Sequence, residues 1–168
     1  LARVAIEHNR DQAGDNMEIT NPALLCHYPL IRHEGFISGF TLKERLANNN
    51  IVYRTAGENI AILPVIKNFI YEYPASNSEP TCPKVEEFKS GKGTKEETTR
   101  KYNDILAQTL DIVRGLKPVK WVNQEWSSPE ELVERVVNGW LNSEGHRKNI
   151  MNASFNLGGL GIVEVNDY

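Results

Sequence analysis

His146 stands in a sequence context that suits chemistry. Apolar residues recur at helical spacing through residues 132–141, which predicts a helix that packs one face inward. Ser128 precedes this stretch and Glu131 follows three residues later, the capping-box pattern of a helix start. Gly145 is expected to end the helix and leave His146 at the rim of a cavity. An imidazole there can bind a metal or exchange a proton near neutral pH.

Glu58 is the second residue that suits chemistry, because it stands just before a continuous apolar run at residues 60–63. We expect that run to be buried. An unpaired buried carboxylate is costly, so Glu58 should have a partner or face a wet cleft. Two roles remain open for it: orienting a histidine, or anchoring the backbone amides of a turn. For Asn59 we favour a structural role, with its amide bonding backbone beside the cleft.

Several further elements must position these residues. Residues 1–14 have helical spacing, Thr41 and Glu44 form a capping box for a short helix, and Thr94 with Glu97 opens a longer one. Between these last two helices, residues 71–93 are rich in proline, serine and charge, which predicts a solvent-facing loop. Residues 157–165 combine glycines with β-branched residues, which favours a strand that another backbone approaches closely.

Composition limits the classes of protein to consider. A length of 168 residues suits one domain. The formal net charge of -3 gives no general attraction to nucleic acid, so we expect no nucleic-acid partner. No apolar run approaches the roughly 20 residues that cross a bilayer, so we expect no membrane span. The chain begins at Leu1, as a processed product or a cut fragment would.

Two cysteines, Cys26 and Cys82, lie in proline-rich surroundings. A disulfide between them would fix a long connecting segment to the rest of the chain. Two unpaired thiols are the alternative, and sequence alone does not give the separation that decides between them.

Two stretches resemble the CAP domain family, named after cysteine-rich secretory proteins, antigen 5 and pathogenesis-related proteins, and especially its microbial branch. The first, residues 41–63, contains a capped helix and then Ala-Gly-Glu-Asn-Ile-Ala at residues 56–61. The second, residues 136–163, contains Asn-Gly-Trp-Leu-Asn-Ser, Gly-His-Arg and Asn-Ile, and closes on Gly-Leu-Gly-Ile. The resemblance implies an α+β fold, a three-layer α-β-α sandwich, in a single domain over residues 1–168 that is secreted or held at the cell surface.

The resemblance also implies a cleft lined by two histidines and acidic residues, which holds a divalent metal such as zinc in some members. By position, His33 and His146 match the two histidines and are the expected metal ligands. Glu58 matches the glutamate of the Gly-Glu-Asn motif, and Glu144 is the best candidate for the second acid. The residues expected to support the cleft are Asn59, Ser143 and Arg147.

The sequence departs from the family in two places. A long helical insertion, at about residues 64–127, separates the two similar stretches. Residues 1–14 resemble the second helix of the family, which implies that the first is missing; alternatively, the run at residues 8–10 belongs to that first helix.

Three functions follow from these expectations. The preferred one is a binding module for a small molecule, lipid, peptide or glycan, and enzymatic activity is left undecided. The runner-up is a metal-dependent hydrolase or peptidase that uses the same cleft, with Ser143 near His146 as one route and metal-bound water as the other. The third is a structural protein that interacts through the insertion.

Overall fold

The computed structural model describes residues 1–16, 31–72, 88, 93–115 and 120–165. Helices predominate there, and a small sheet accompanies them, so the architecture is mixed α and β. The elements in chain order are α1 (Ala2–Asn16), α2 (Leu42–Asn48), β1 (Ile66–Glu72), α3 (Lys95–Gly115), β2 (Lys120–Trp126), α4 (Pro129–Asn142) and α5 (Glu144–Ile150). Cys26 and Cys82, and with them the predicted disulfide, lie outside the described residues, as does most of the predicted loop at residues 71–93.

Side-chain caps begin the helices where the sequence predicted them. At α4, the Glu131 amide donates to Ser128 Oγ at 3.3 Å, and the Ser128 amide donates to the Glu131 carboxylate at 2.7 Å. Thr94 and Glu97 exchange the same two bonds at the start of α3, at 3.2 and 3.0 Å. Thr41 caps α2. These caps satisfy amide groups that have no partner inside a helix, and the predicted helix starts are confirmed.

Strands β1 and β2 form an antiparallel pair, which the sequence reading did not predict. Ile66 pairs with Trp126 at one end and Glu72 with Lys120 at the other, with irregular register between them. Both segments are rich in β-branched and aromatic residues, which suits a pleated surface. The pair joins the two ends of the predicted insertion, and α3 lies between the two strands in sequence.

The apolar core is built around α3. Tyr102, Ile105 and Val113 of this helix are buried and cluster with Phe88, while Phe36 packs against them from the connection before α2. The Tyr102 ring lies 5.0 Å from that of Phe36 and 5.1 Å from that of Phe88, between centroids. A helix from the predicted insertion therefore supplies much of the core.

A buried arginine ties α1 to this core. The Arg32 guanidinium lies 3.0 Å from carboxylate oxygens of Asp11 and of Asp15, and it donates to the Tyr102 hydroxyl at 3.2 Å. It also lies 4.6 Å from the ring centroids of Phe36 and Tyr102. A fully buried guanidinium requires such paired charges and stacking, because desolvation of an unpaired charge is costly.

The predicted burial of two apolar segments is wrong. Helix α4 has no buried residue: Val133 is 58% exposed and Val137 is 40% exposed. In the run at residues 60–63, Ala61 is exposed and Ile62 is 37% exposed. Periodicity identifies an apolar face, but it does not establish that another element covers that face.

The predicted helix break at Gly145 is also wrong. Helix α4 ends at Asn142, and Ser143 adopts an extended backbone, with φ -94° and ψ 123°, before α5 begins. Gly145 and His146 lie inside α5. A serine with extended backbone suits the residue that precedes a helix, while a glycine in the first helical turn is tolerated.

Residues 157–165 do not form the predicted strand. The segment runs against α1, and Asn9 Nδ2 donates to the Gly161 carbonyl oxygen at 2.8 Å. A Cβ added at Gly159 would lie 2.5 Å from the Leu1 carbonyl carbon, and one at Gly161 would lie 2.5 Å from that of Ala5. The predicted close backbone approach is therefore present, but the neighbour is a helix. Helical backbone groups pair with one another, so they do not form the hydrogen bonds of a sheet.

Candidate functional site

Glu58 lies at the centre of a cluster of charged and titratable side chains. Its Oε1 accepts from Arg45 Nη2 at 2.6 Å, and its Oε2 lies 2.9 Å from His33 Nδ1 and 3.9 Å from His8 Nε2. The Glu58 side chain is 15% exposed, while His8 and Arg45 are buried. We call these four residues the Glu58 cluster. It joins α1, the connection before α2, α2 itself and the segment after α2.

His33 is the most exposed member of the Glu58 cluster, with 49% of its side chain open to solvent. Its Nδ1 is bonded to the Glu58 carboxylate, and its Nε2 makes no hydrogen bond to the described part of the chain. A carboxylate accepts only, so Nδ1 carries the proton in this pair and the neutral ring keeps a lone pair on Nε2. The arrangement resembles the carboxylate–histidine pairs that orient metal ligands.

Burial and charge act in opposite directions on Glu58. Burial by itself would raise the pKa of this carboxyl group, whereas the hydrogen bond from His33 and the charge of Arg45 lower it. The net pKa lies below its ordinary value of 4.5. Glu58 is therefore ionised at neutral pH, as its role as an acceptor requires.

His8 is the buried histidine of the Glu58 cluster. Burial lowers the pKa of this imidazole, and the nearby Arg45 charge lowers it further. Its Nε2 lies 3.2 Å from the Arg32 carbonyl oxygen, and its Nδ1 has no partner among the described residues. A neutral His8 is consistent with this setting, because a second cation beside Arg45 would add repulsion.

Paired amides hold the Glu58 segment against α5. Asn149 Nδ2 lies 3.2 Å from the Glu58 carbonyl oxygen and 2.9 Å from Asn59 Oδ1, so it donates to both. Asn59 Nδ2 donates in turn to the His146 carbonyl oxygen at 3.1 Å. We call Asn59 and Asn149 the amide pair. It connects the two stretches that carry the sequence motifs.

Close packing and one indole bond extend this contact. A Cβ added at Gly57 would lie 2.9 Å from Asn149 Oδ1 and 3.0 Å from Phe155 Cζ, so a side chain there would force these two side chains to shift. Trp140 Nε1 donates to the Ile60 carbonyl oxygen at 3.1 Å. These contacts explain why a glycine and a tryptophan stand at these positions.

The structure brings together only part of the predicted site. His33 and Glu58 are in direct contact, and His146 is linked to the same segment through its carbonyl oxygen, with its side chain half-buried. Glu144 is 73% exposed and lies 2.6 Å from Lys148, one helical turn away on α5. A role for His146 and Glu144 in ligand contact therefore stays a prediction.

The predicted supporting residues lie at the junction of the last two helices. Ser143 separates α4 from α5, and its side chain makes no capping bond. Arg147 Nη1 donates to the Leu141 carbonyl oxygen at 2.6 Å, which satisfies one of the unpaired carbonyl groups at the end of α4. Asn59 belongs to the amide pair.

Arg45 and His8 are the members of the Glu58 cluster that sequence reasoning did not assign to the site. The sequence did contain a signal for Arg45. It follows Leu42 by three positions, so the two side chains lie on the same face of a short helix. A charge on the apolar side of a short helix needs a buried partner. His8 likewise follows Val4 by one helical turn.

Within the described ranges, no group of three or more histidine, cysteine, aspartate or glutamate side chains is arranged to hold a metal ion. No helix in the part of the chain that the structure covers is long and apolar enough to cross a bilayer.

Comparison with known proteins relates the second half of the chain to a family. The profile of the Cysteine-rich secretory protein family, CAP, matches residues 70–168. The uncharacterized protein YkwD of Bacillus subtilis is 44% identical over 45 residues, which cover 27% of this chain and 18% of that protein. The chain thus matches less than a fifth of the length of this relative. No solved structure matches. His146 lies inside the profile match, while His33 and Glu58 precede it.

Proposed function

Because this chain belongs to the cysteine-rich secretory protein family, CAP, we propose that it is an extracellular binding domain whose ligand contacts His33 in the Glu58 cluster. The observation that carries the proposal is the pair formed by His33 and Glu58. One nitrogen of a half-exposed imidazole is held by an ionised carboxylate, and the other has no described partner.

This pair suits binding because it presents a fixed acceptor. A free surface histidine samples several rotamers and both tautomers, whereas the bond to Glu58 restricts both. The Nε2 lone pair then accepts a hydrogen bond from a hydroxyl or amide group, or it coordinates a cation. Peptides and glycans supply such donors, and lipid headgroups supply them as well, so the ligand class in the proposal covers all three.

Zinc binding is a narrower part of the proposal. His33 and His146 would supply two nitrogen ligands, and water would complete the coordination shell, because the described residues offer no set of three ligands. The carboxylate of Glu58 is already engaged by His33 and Arg45, so its role is to orient His33.

The fold in the proposal is the three-layer α-β-α sandwich of the family. The amide pair supports it, because it joins α5 to the segment after α2 across the middle of the chain. Export of the protein belongs to the same proposal and is supported by the family match.

Nuclear magnetic resonance of the imidazole signals tests the binding proposal. Zinc chloride, a peptide mixture, soluble oligosaccharides and phospholipid vesicles are added separately to the wild type and to His33→Gln. At least one probe should shift the His33 ring signals and lose affinity in the variant, while Asn138→Ala on exposed α4 should bind as the wild type does. Equal binding to wild type and His33→Gln for every probe that binds would contradict the proposal, as would no binding at all.

A further inference from the structure

Arg45 holds both members of the His33–Glu58 pair through separate nitrogens. Its Nη2 donates to Glu58 Oε1 at 2.6 Å, and its Nη1 donates to the carbonyl oxygen of His33 at 3.0 Å. One guanidinium thus fixes the position of the carboxylate and of the backbone that carries the imidazole. The hydrogen bond from His33 Nδ1 to Glu58 Oε2 closes the ring of contacts.

The guanidinium shape matters to this arrangement. Its donors lie in one rigid plane, so two acceptors can be held at a set angle, whereas a lysine ammonium is a flexible point charge. Oε1 is occupied by Arg45, which leaves Oε2 to face His33. The carboxylate therefore cannot rotate freely without breaking a charge-assisted bond.

The surroundings hold Arg45 itself in place. It is buried in α2, and Nη1 also donates to the Gly39 carbonyl oxygen at 3.1 Å. Gly39 has φ of +130°, and a Cβ there would lie 3.0 Å from Arg45 Cγ and from Arg45 N. Glycine at this position lets the connection before α2 wrap the arginine closely.

We infer that Arg45 is a positioning residue for the His33–Glu58 pair and determines which ring nitrogen of His33 carries the proton. The ligand contact of His33 rests on the proposed function, but the proton position does not. In the wild type, Arg45 aligns Glu58 Oε2 with Nδ1, so the neutral ring is protonated there. Without the guanidinium, Glu58 turns away and the ring loses this preference.

Long-range proton–nitrogen correlation spectra of His33 at a pH where the ring is neutral test the inference. The wild type should show a protonated Nδ1 and an unprotonated Nε2. Arg45→Lys keeps the positive charge but does not hold Glu58 and the His33 carbonyl oxygen at the same time. The ratio of the two tautomers should fall by roughly tenfold, as expected when a hydrogen bond to a charged group is lost.

Arg32→Lys is the matched control, because Arg32 is an equally buried arginine whose side chain contacts Asp11, Asp15 and Tyr102 instead. It should lower the unfolding temperature but leave the His33 tautomer unchanged. A folded Arg45→Lys variant with the wild-type tautomer ratio would overturn the inference, as would an equal tautomer change in Arg32→Lys.

The wild type provides a second measurement should Arg45→Lys fail to fold. Rotation about the Cζ–Nη bonds of Arg45 should be slow, so that its Nη protons give separate signals, because both nitrogens are held. A single averaged signal would overturn the inference. Neither measurement needs a ligand, so a failure of the proposed binding function would leave these results intact. A failure of the inference about Arg45 would likewise leave the binding results intact.

Discussion

Asn149 Nδ2 donates to the carbonyl oxygen of Glu58 across 91 positions of sequence, at 3.2 Å. This contact places α5, which carries the Gly-His motif, against the segment that carries the Gly-Glu-Asn motif. The relative position of Glu58 and His146 therefore depends on an amide side chain, which bonds to the Glu58 carbonyl oxygen and to Asn59.

Replacement of Asn149 by alanine should destabilise the protein by roughly 1–3 kcal/mol, because Asn59 and the Glu58 carbonyl oxygen lose a part-buried donor. Urea unfolding measures the change. Asn138→Ala on the exposed face of α4 is the control and should stay within about 0.5 kcal/mol of the wild type. Equal effects of both substitutions would show that the amide pair has no special role.

The stability contributed by Glu58 should depend on pH. Its folded-state pKa is below the ordinary 4.5, so the unfolded chain binds the proton first and acid favours unfolding. Glu58→Gln should therefore be less stable than the wild type above pH 4.5, and the difference should shrink as the pH falls further. Denaturant unfolding from pH 7 to pH 3 checks this. A stability difference between wild type and Glu58→Gln that stays constant over this range would contradict the prediction. The control is Glu144→Gln, which lies on the surface and should have nearly the stability of the wild type throughout.

Gly161→Ala should destabilise the protein by about 1–3 kcal/mol, because the new methyl group would meet the backbone of α1 at Ala5. Gly158→Ala is a close control, since a Cβ there would meet nothing within 4 Å. Thermal unfolding compares the two variants. If Gly158→Ala proved the more harmful, residues 157–165 would not run against α1 in solution.

Tyr102→Phe should destabilise the protein by about 1–3 kcal/mol. The hydroxyl donates to Asp15 at 2.9 Å and accepts from Arg32, and burial raises the pKa of this hydroxyl group, so it stays protonated. Tyr53→Phe, at a 40% exposed position, should have almost no effect. Chemical denaturation measures both variants, and matching values would argue that α3 is not tied to α1 through this hydroxyl.

Local sequence predicted the helix starts well. Ser128 with Glu131, and Thr94 with Glu97, form their capping bonds within four residues, so the relevant interactions are visible in a short window of sequence. The motif resemblance also predicted the CAP family, which the profile match confirms. For Glu58 the sequence left two outcomes open, a partner or a wet cleft, and the structure shows the partners Arg45 and His33.

Longer-range features were missed for a common physical reason. Strands β1 and β2 are separated by α3 in the chain, and neither segment alone shows that it will pair with the other. The exposure of Val133 and Val137 likewise depends on whether another element covers α4. These outcomes are set by packing between distant segments, on which a helical or strand period carries no information.

By itself, the sequence determined where helices begin, which family motifs are present, and that Glu58 needs either a partner or a wet cleft, because these depend on neighbouring residues and on the cost of desolvation. Only the tertiary structure decided that the partners of Glu58 are Arg45 and His33, with His8 behind them, and that Asn149 holds the segment to α5. The physical reason is that a buried carboxylate is satisfied by whichever donors the folded chain brings within hydrogen-bond distance, and that distance is set by the packing of α1, α2 and α5.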